Sequence, residues 1–150
     1  MGFFYVYLQY KSFTIKQELD NNKRNIDMMN IPLTFETQFE IPKGLSKRGL
    51  KTAKVIKSFA KEWKLDTGGC KTFYSPKEWK ERGEQFGENS ELIVVYDGGD
   101  LAQFFNYDYE NHGTIRRMEK VLSETNVYSE GLYCWCSGIY NCDQFYSKGQ

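Results

Sequence analysis

Acidic side chains and the only histidine of the chain gather within residues 88–112. Residues 88–110 hold six carboxylates and no lysine or arginine. Carboxylate oxygens are the ligands that Mg²⁺ prefers, and a metal-dependent nuclease would need several of them close together. The residues that would serve such a nuclease are Asp97, Asp100, Asp108, Glu110 and His112.

The run Asp97-Gly98-Gly99-Asp100 also fits a plain turn, and we favour the turn over a metal site. Glycine adopts positive φ without strain, and an aspartate such as Asp97 accepts hydrogen bonds from nearby backbone N–H groups. His112 with Glu110 is the metal-free alternative, an acid–base ribonuclease site. The competing interpretation is an ordinary surface histidine beside the start of a helix.

Basic side chains dominate an earlier segment, residues 43–64. Eight lysines and arginines lie there against one acid, Glu62. At about 100° per residue most of them fall on one side of a helix, where like charges repel one another. The segment is either a face that binds a phosphate backbone or an acidic partner, or a solvated helix face. The candidate nucleic-acid-binding residues are Lys47, Arg48, Lys51, Lys54, Lys57, Lys61 and Lys64.

The opposite charges of the two segments cancel in the net charge of the chain. Lys and Arg number 20, as do Asp and Glu, so the chain is neither a bulk polycation nor a bulk polyanion. The segments either neutralise each other in the fold or form separate surfaces, one for nucleic acid and one for a basic groove of a protein. The candidate partner-binding residues are Asp97, Asp100, Tyr107, Asp108 and Glu110.

The cysteines do not predict a metal site. Cys134 and Cys136 are separated by one residue, whereas structural zinc sites space their ligands by about two to four. With Cys142 they are expected to be buried thiols, and Cys134 and Cys136 are expected on one face of a strand. We therefore predict no cofactor, with Mg²⁺ implied only by the nuclease alternative.

The helices and strands expected from the sequence must position these residues. Together they predict an α+β fold, in which two main helices pack on a mostly antiparallel sheet. Ser46 is the expected N-cap of the clearest helix, and a short helix is expected at Pro76. A second main helix is expected over residues 114–124. Strands are expected over residues 3–10, 34–41, 70–75, 91–96 and 132–140, while 101–110 is ambiguous. The expected apolar face of the clearest helix is Leu50, Ala53, Ile56, Ala60 and Trp63, widened by Val55 and Phe59.

The length of 150 residues predicts one domain, 1–150, with a β-rich segment 1–44 and an α/β core 45–147. No apolar run approaches the roughly 20 residues that span a bilayer. We expect no membrane contact and a cytoplasmic location. The pattern leaves the oligomeric state open.

Five stretches resemble a family of small proteins carried on phages and plasmids of low-GC Gram-positive bacteria. Some members of that kind are anti-CRISPR proteins directed at type II-A Cas9. The resemblance covers roughly residues 45–140 and brings no catalytic signature. The stretches that carry it are Leu45–Lys54, Trp79–Glu84, Ser90–Ala102, Phe105–Glu110 and Cys134–Tyr140.

The resemblance implies an inhibitor whose partners are Cas9, its guide RNA, or both, in the host bacterial cytosol. The acidic residues would occupy a basic channel of Cas9, and the lysines would hold the guide RNA. The inhibitor would block guide loading or DNA engagement stoichiometrically rather than act as an enzyme. The alternatives are a nuclease that truncates or degrades guide RNA, and a nucleic-acid-binding accessory protein of a mobile element.

Overall fold

The computed structural model describes residues 33–144, together with Gln17. The strand expected over residues 3–10 lies outside the described residues. Residues 33–144 belong to a compact unit that begins at Leu33. The predicted α+β class is confirmed. The strands are β1 (Phe73–Tyr74), β2 (Leu92–Val95), β3 (Val127–Tyr133) and β4 (Cys136–Asn141).

The described strands form one antiparallel sheet in the order β1-β2-β4-β3. All four residues of β2 are buried, as its continuous apolar run predicts for a central strand. Strands β3 and β4 form a hairpin with an irregularity between Gly131 and Tyr133. Such a bulge bends the strand and redirects its side chains.

Helices flank this sheet in the described part of the chain. They are α1 (Phe35–Gln38), α2 (Lys47–Glu62), α3 (Pro76–Glu81), α4 (Ala102–Phe105) and α5 (His112–Ser123), with a 3₁₀ turn at Tyr107–Tyr109. The ambiguous residues 101–110 are therefore short helical turns rather than a strand. No helix within residues 33–144 has the length and apolar character needed to cross a lipid bilayer.

Local capping explains where two of the three predicted helices begin. The predicted N-cap of α2 is confirmed, because the Ser46 side chain accepts from the Gly49 N–H. Helix α3 begins with a capping box, in which Ser75 and Glu78 each bond to the other's backbone N–H. The predicted proline, Pro76, lies in its first turn.

The two faces of the sheet pack differently. Leu92 and Val94 of β2 join the larger core, which also holds buried side chains of α2 and α5. Ile93 and Val95 point to the opposite face, where they pack with Trp79. Alternation along a strand places successive side chains on opposite faces. The sheet therefore separates the main helices from a smaller, aromatic cluster.

Two strand predictions are wrong. Within residues 34–41 the chain forms helix α1, with Thr34 as its N-cap. Phe35 and Phe39 are four residues apart and their rings stack at 4.5 Å, so the apolar spacing is helical. Residues 132–140 are not one strand, because the chain turns at Cys134 and Trp135 between β3 and β4.

Candidate nucleic-acid interface

Helix α2 buries one side and exposes most of its lysines on the other. Leu50 and Trp63 were expected on the buried side, but they are 38% and 45% exposed. Gly49 and Thr52 are buried instead. Leu50 lies at the edge of the buried side and Trp63 is the C-cap residue at the end of α2, so neither ring nor side chain is fully covered. The predicted apolar residues that are buried are Ala53, Ile56, Phe59 and Ala60.

The first turn of α2 lies against the start of β2. A Cβ on Gly49 would lie 2.3 Å from the carbonyl oxygen of Glu91, so only glycine permits this approach. Ser46 links the same two elements, because its hydroxyl donates to the Glu91 carboxylate and accepts from the Gly49 N–H at 3.0 Å. Gly49 was not predicted as a functional residue, and its single signal is a glycine inside a helical pattern.

Thr52 fixes α2 from a second direction. Its hydroxyl bonds to the Arg48 carbonyl at 2.9 Å and shares a hydrogen bond of 2.8 Å with the hydroxyl of Thr125. Thr125 follows α5, so this bond joins the two main helices. The lysines of α2 are therefore presented by a helix that is held along its buried side.

Three of the predicted cations pair with carboxylates. Lys57 contacts Glu36 of α1 at 2.6 Å, and Lys61 lies 3.9 Å from the same side chain. The hydrogen bond from Lys57 is the main cause that lowers the pKa of Glu36 below its usual value. Arg48 contacts Asp143 at 3.3 Å. These cations carry less free charge than their number in the sequence implies.

Four of the predicted cations have no carboxylate at ion-pair distance among residues 33–144. Three of them, Lys47, Lys51 and Lys54, are exposed and lie three or four positions apart on α2. Side chains at that spacing are neighbours on a helix surface. Lys64 is the fourth, but it lies past the end of α2 with φ +53°. Its prediction as part of the helix face is wrong, because the left-handed conformation ends the helix.

Two clefts run beside these lysines. One, of about 420 Å³, is lined by Lys47, Arg48 and Lys51 and by residues 124–126. The other, of about 310 Å³, is lined by Lys54 and by residues of α2 and α5. Glu124 lines both clefts. The basic side of α2 thus continues into a shallow surface that is mostly positive at the N-terminal end of the helix.

A further cation lies at the other end of α2. The Arg117 guanidinium stacks on the exposed ring of Trp63 at 4.2 Å. Trp63 also stacks on Phe59 at 5.6 Å. An exposed aromatic ring and an arginine guanidinium are both groups on which an unpaired nucleobase can stack. Arg117 was not predicted from the sequence, because it comes from α5 and meets Trp63 only in the tertiary structure.

The acidic run at residues 97–100 forms the predicted turn. The Gly99 N–H donates to the Tyr96 carbonyl at 2.7 Å, which closes the turn after β2. Asp97 was expected to accept a backbone hydrogen bond, but the carboxylate that does so is Asp100, from the Asp66 N–H at 3.2 Å. Asp100 therefore ties two loops together and is not free to bind a partner with both of its oxygens.

The acidic residues do not converge. Asp97 is exposed in the turn after β2, whereas Asp108 and Glu110 are exposed in the 3₁₀ turn and directly after it. Among residues 33–144, no group of three or more His, Cys, Asp and Glu side chains could hold a metal ion. The magnesium-dependent nuclease alternative therefore has no cluster of ligands in the described part of the chain.

The two residues of the histidine alternative, His112 and Glu110, are both exposed. His112 is the first residue of α5. Tyr107, five positions earlier, donates its hydroxyl to Glu119 at 2.8 Å, and this bond is the main cause that raises the tyrosine's pKa. Tyr107 and Asp108 line a cleft of about 280 Å³. Neither His112 nor Glu110, the predicted acid–base pair, lines that cleft.

The prediction of buried thiols holds only for Cys136. This thiol is buried, and burial is the main cause that raises its pKa to about 12. Cys134 is exposed in the hairpin turn, and Cys142 is half-buried. The prediction that Cys134 and Cys136 share a strand face is wrong, because the chain turns between them.

Comparisons with protein-family models, with curated proteins and with solved structures found no match to this chain.

Proposed function

We propose that this chain binds RNA through the basic side of α2 and inhibits a type II-A Cas9 by holding its guide RNA in the bacterial cytosol. The observation that carries the RNA-binding part is the row Lys47, Lys51 and Lys54, exposed and without ion-pair partners among the described residues. The Cas9 part rests on the family resemblance of residues 45–140.

The position of the lysines supports binding rather than stability. The first turn of α2 contains no acidic residue, although the N-terminal end of a helix carries partial positive charge. Lys47 lies in that turn, where its charge has the same sign as the helix end. The Glu91 carboxylate, which accepts from the Ser46 hydroxyl, offsets part of this charge, and a phosphate group would contact the lysines on the exposed side of the helix.

The acidic residues suggest the protein side of the proposed complex. Asp97, Asp108 and Glu110 are exposed on turns that do not belong to α2. Cas9 holds its guide and target in positively charged channels. We expect these carboxylates to contact such a channel while the lysines contact RNA.

The RNA-binding part is tested by two matched double variants. Lys51→Gln/Lys54→Gln removes an i,i+3 pair of unpaired lysines from α2. Lys77→Gln/Lys80→Gln removes an i,i+3 pair from α3, whose lysines contact carboxylates of the same region. Both double variants lower the net charge equally. Affinity for a single-stranded RNA is measured by fluorescence anisotropy over a series of salt concentrations.

We expect the α2 variant to bind RNA more weakly. The fall of log K with log salt should become less steep by about 1.4, since two lysines are removed and each single-strand phosphate contact contributes about 0.7. The α3 variant should retain the slope of the unmodified chain. Equal losses in both variants would show diffuse charge attraction, and would contradict an interface on α2.

The Cas9 part is tested by titrating the chain against Cas9 and guide RNA, while target cleavage and guide length are read from the same reactions. Loss of cleavage near equal stoichiometry with an intact guide is the expected result. Loss of cleavage with a shortened guide would contradict the inhibitor proposal and indicate a nuclease. Unimpaired cleavage would end the Cas9 proposal and leave RNA binding standing alone.

A further inference from the structure

A pocket of about 310 Å³ lies on the face of the sheet away from α2. It is formed where β1 begins, where β2 ends and where the β3–β4 hairpin turns. The volume is at the lower end of the range of small-molecule sites, about 300–1,000 Å³. The lining includes two aromatic rings, two cations, one carboxylate and one thiol, from Tyr74, Trp135, Lys71, Arg82, Asp97 and Cys70.

The aromatic walls belong to a continuous array of rings. The Tyr74 ring lies 5.4 Å from that of Trp79, which lies 5.7 Å from Trp135. Trp135 stacks on Tyr133 at 5.3 Å with the planes 5° apart, and Phe86 lies 6.0 Å from Tyr133. Of these rings only Trp79 is buried. Partly exposed rings in a row are a surface on which nucleobases stack.

The two cations lie over this aromatic surface. The Lys71 ammonium is 4.6 Å from the centre of the Tyr74 ring, and the Arg82 guanidinium is 4.9 Å from it. Lys71 also contacts Glu78 at 3.4 Å, and Arg82 lies 3.9 Å from Glu84. Both ion pairs are partly exposed and contribute little energy, so a phosphate group could replace Glu78 and Glu84 as the partner of these cations.

The backbone of Asp97 is held beside that of Trp135. The carbonyl oxygen of Trp135 accepts from the backbone N–H groups of Tyr96 and Asp97, at 3.0 and 3.3 Å. Asp97 adopts φ +27°, which is unusual for a residue other than glycine. Strained backbone of this kind is concentrated at ligand sites. Burial is the main cause that raises the pKa of Cys70, so this thiol stays protonated.

We propose that this pocket binds a purine nucleotide, with guanine as the preferred base. The base stacks on Trp135, and the phosphate contacts Lys71 and Arg82, which lie over the Tyr74 ring. The Asp97 carboxylate has two acceptor oxygens, which match the ring N–H and the exocyclic amine that guanine presents side by side. Adenine offers its exocyclic amine beside a ring acceptor, which a carboxylate cannot satisfy.

This inference goes beyond the RNA-binding proposal, because it uses none of the residues of α2. It shares only Asp97 with the proposed Cas9 contact. Its test contains no Cas9, so the two proposals fail separately.

Free nucleotide and an unpaired guanosine of a nucleic acid present the same chemistry to the pocket. The test therefore uses isothermal titration calorimetry of the whole chain with GMP, AMP, CMP and guanosine, and with two RNA heptamers. One heptamer contains a single guanosine among uridines, and the other contains uridines alone. Both heptamers are measured with the Lys51→Gln/Lys54→Gln variant, so that α2 contributes little to their binding. Tighter binding of the guanosine heptamer than of the uridine heptamer assigns an unpaired base, and equal binding of the two heptamers with retained binding of GMP assigns a free nucleotide.

We expect both purine nucleotides to bind more tightly than CMP, since the purine offers the larger stacking area. GMP should bind about tenfold more tightly than AMP, since hydrogen bonds to a charged acceptor are the stronger kind. Asp97→Asn should remove most of the preference for GMP over AMP. It retains the backbone conformation, because asparagine tolerates positive φ. Asp108→Asn, the same charge change on a turn that does not line this pocket, should leave the preference unchanged.

Arg82→Gln and Lys71→Gln should each bring the affinity for GMP towards that for guanosine. Circular dichroism and thermal unfolding check that each variant remains folded. Equal binding of GMP and AMP, absence of GMP binding at millimolar concentration, or an Asp97→Asn variant with unaltered preference would each overturn the proposal.

Discussion

The basic side of α2 and the acidic segment 88–110 carry opposite charges in similar numbers, yet they are organised differently. Lys47, Lys51 and Lys54 are neighbours on one helix and have no ion-pair partners among the described residues. The carboxylates are distributed from the approach to β2 to the segment before α5. Two of them, Glu91 and Asp100, bond to the Ser46 hydroxyl and to the Asp66 backbone.

This difference shows that charge counted along a sequence is not charge available at a surface. A helix repeats its side chains every three or four positions, so lysines at that spacing must lie together. Acidic residues in turns follow the local direction of the backbone and are used to bond its N–H groups. The basic segment is therefore the better candidate for an extended interface, and the acidic segment for local contacts.

The attachment of α2 to β2 is the feature on which this comparison depends most. Gly49→Ala places a methyl group where the Glu91 carbonyl oxygen lies, so we expect a loss of about 2 kcal/mol in the free energy of unfolding. Urea denaturation measures it. Gly113→Ala is the matched control, because a Cβ there meets only ordinary contact at 3.7 Å. Equal stability of the Gly49 variant and the unmodified chain would mean that α2 is not held at this point.

The exposed acidic residues are tested by charge reversal. Asp97→Lys, Asp108→Lys and Glu110→Lys in one chain should weaken inhibition of Cas9 at least about tenfold, since like charges then face the basic channel. Asp100 is left unchanged because it bonds to the backbone. Cleavage assays with increasing amounts of the variant measure the effect. Inhibition at unaltered stoichiometry would remove these residues from the proposed contact.

Ser46 connects the two charged regions through Glu91. Ser46→Ala removes the N-cap of α2, and we expect a loss of about 1 kcal/mol in the free energy of unfolding. Ser58→Ala, at an exposed position of the same helix, should cause no loss. Thermal and urea unfolding of both variants measure the difference. Similar values for the two would show that the cap contributes nothing.

Glu36 holds two of the basic residues, Lys57 and Lys61, in ion pairs. Glu36→Gln frees both, so we expect affinity for RNA to rise roughly twofold at low salt. Fluorescence anisotropy measures it, and an unaltered affinity would mean that these two lysines lie outside the RNA contact.

Glu36→Gln should also change how the free energy of unfolding depends on pH. The pKa of Glu36 is lowered in the folded chain, so its stabilising effect is present above the ordinary value of 4.5 and is lost as pH falls from there through the folded pKa. Glu36→Gln should therefore show a flatter stability profile below pH 4.5. A profile that matches the unmodified chain would contradict the pairing.

The sequence predicted the elements whose signals are local. The Ser46 cap, the Pro76 helix and the buried strand β2 are confirmed because capping, proline and continuous apolar runs act within a few residues. The predictions failed at Phe35–Gln38 and at the turn of residues 134–135. In the first, a phenylalanine spacing of four was taken for strand alternation, and in the second no glycine or proline marks the turn.

Within the candidate site, the sequence by itself determined that α2 is amphipathic and that its lysines share one side. The tertiary structure decided which of them are paired, because Glu36 and Asp143 come from distant parts of the chain. It also brought Tyr74, Asp97 and Trp135 around one pocket, although they are far apart in sequence. Periodicity acts along the chain and can be read from it, whereas contacts between elements depend on how the sheet and helices pack.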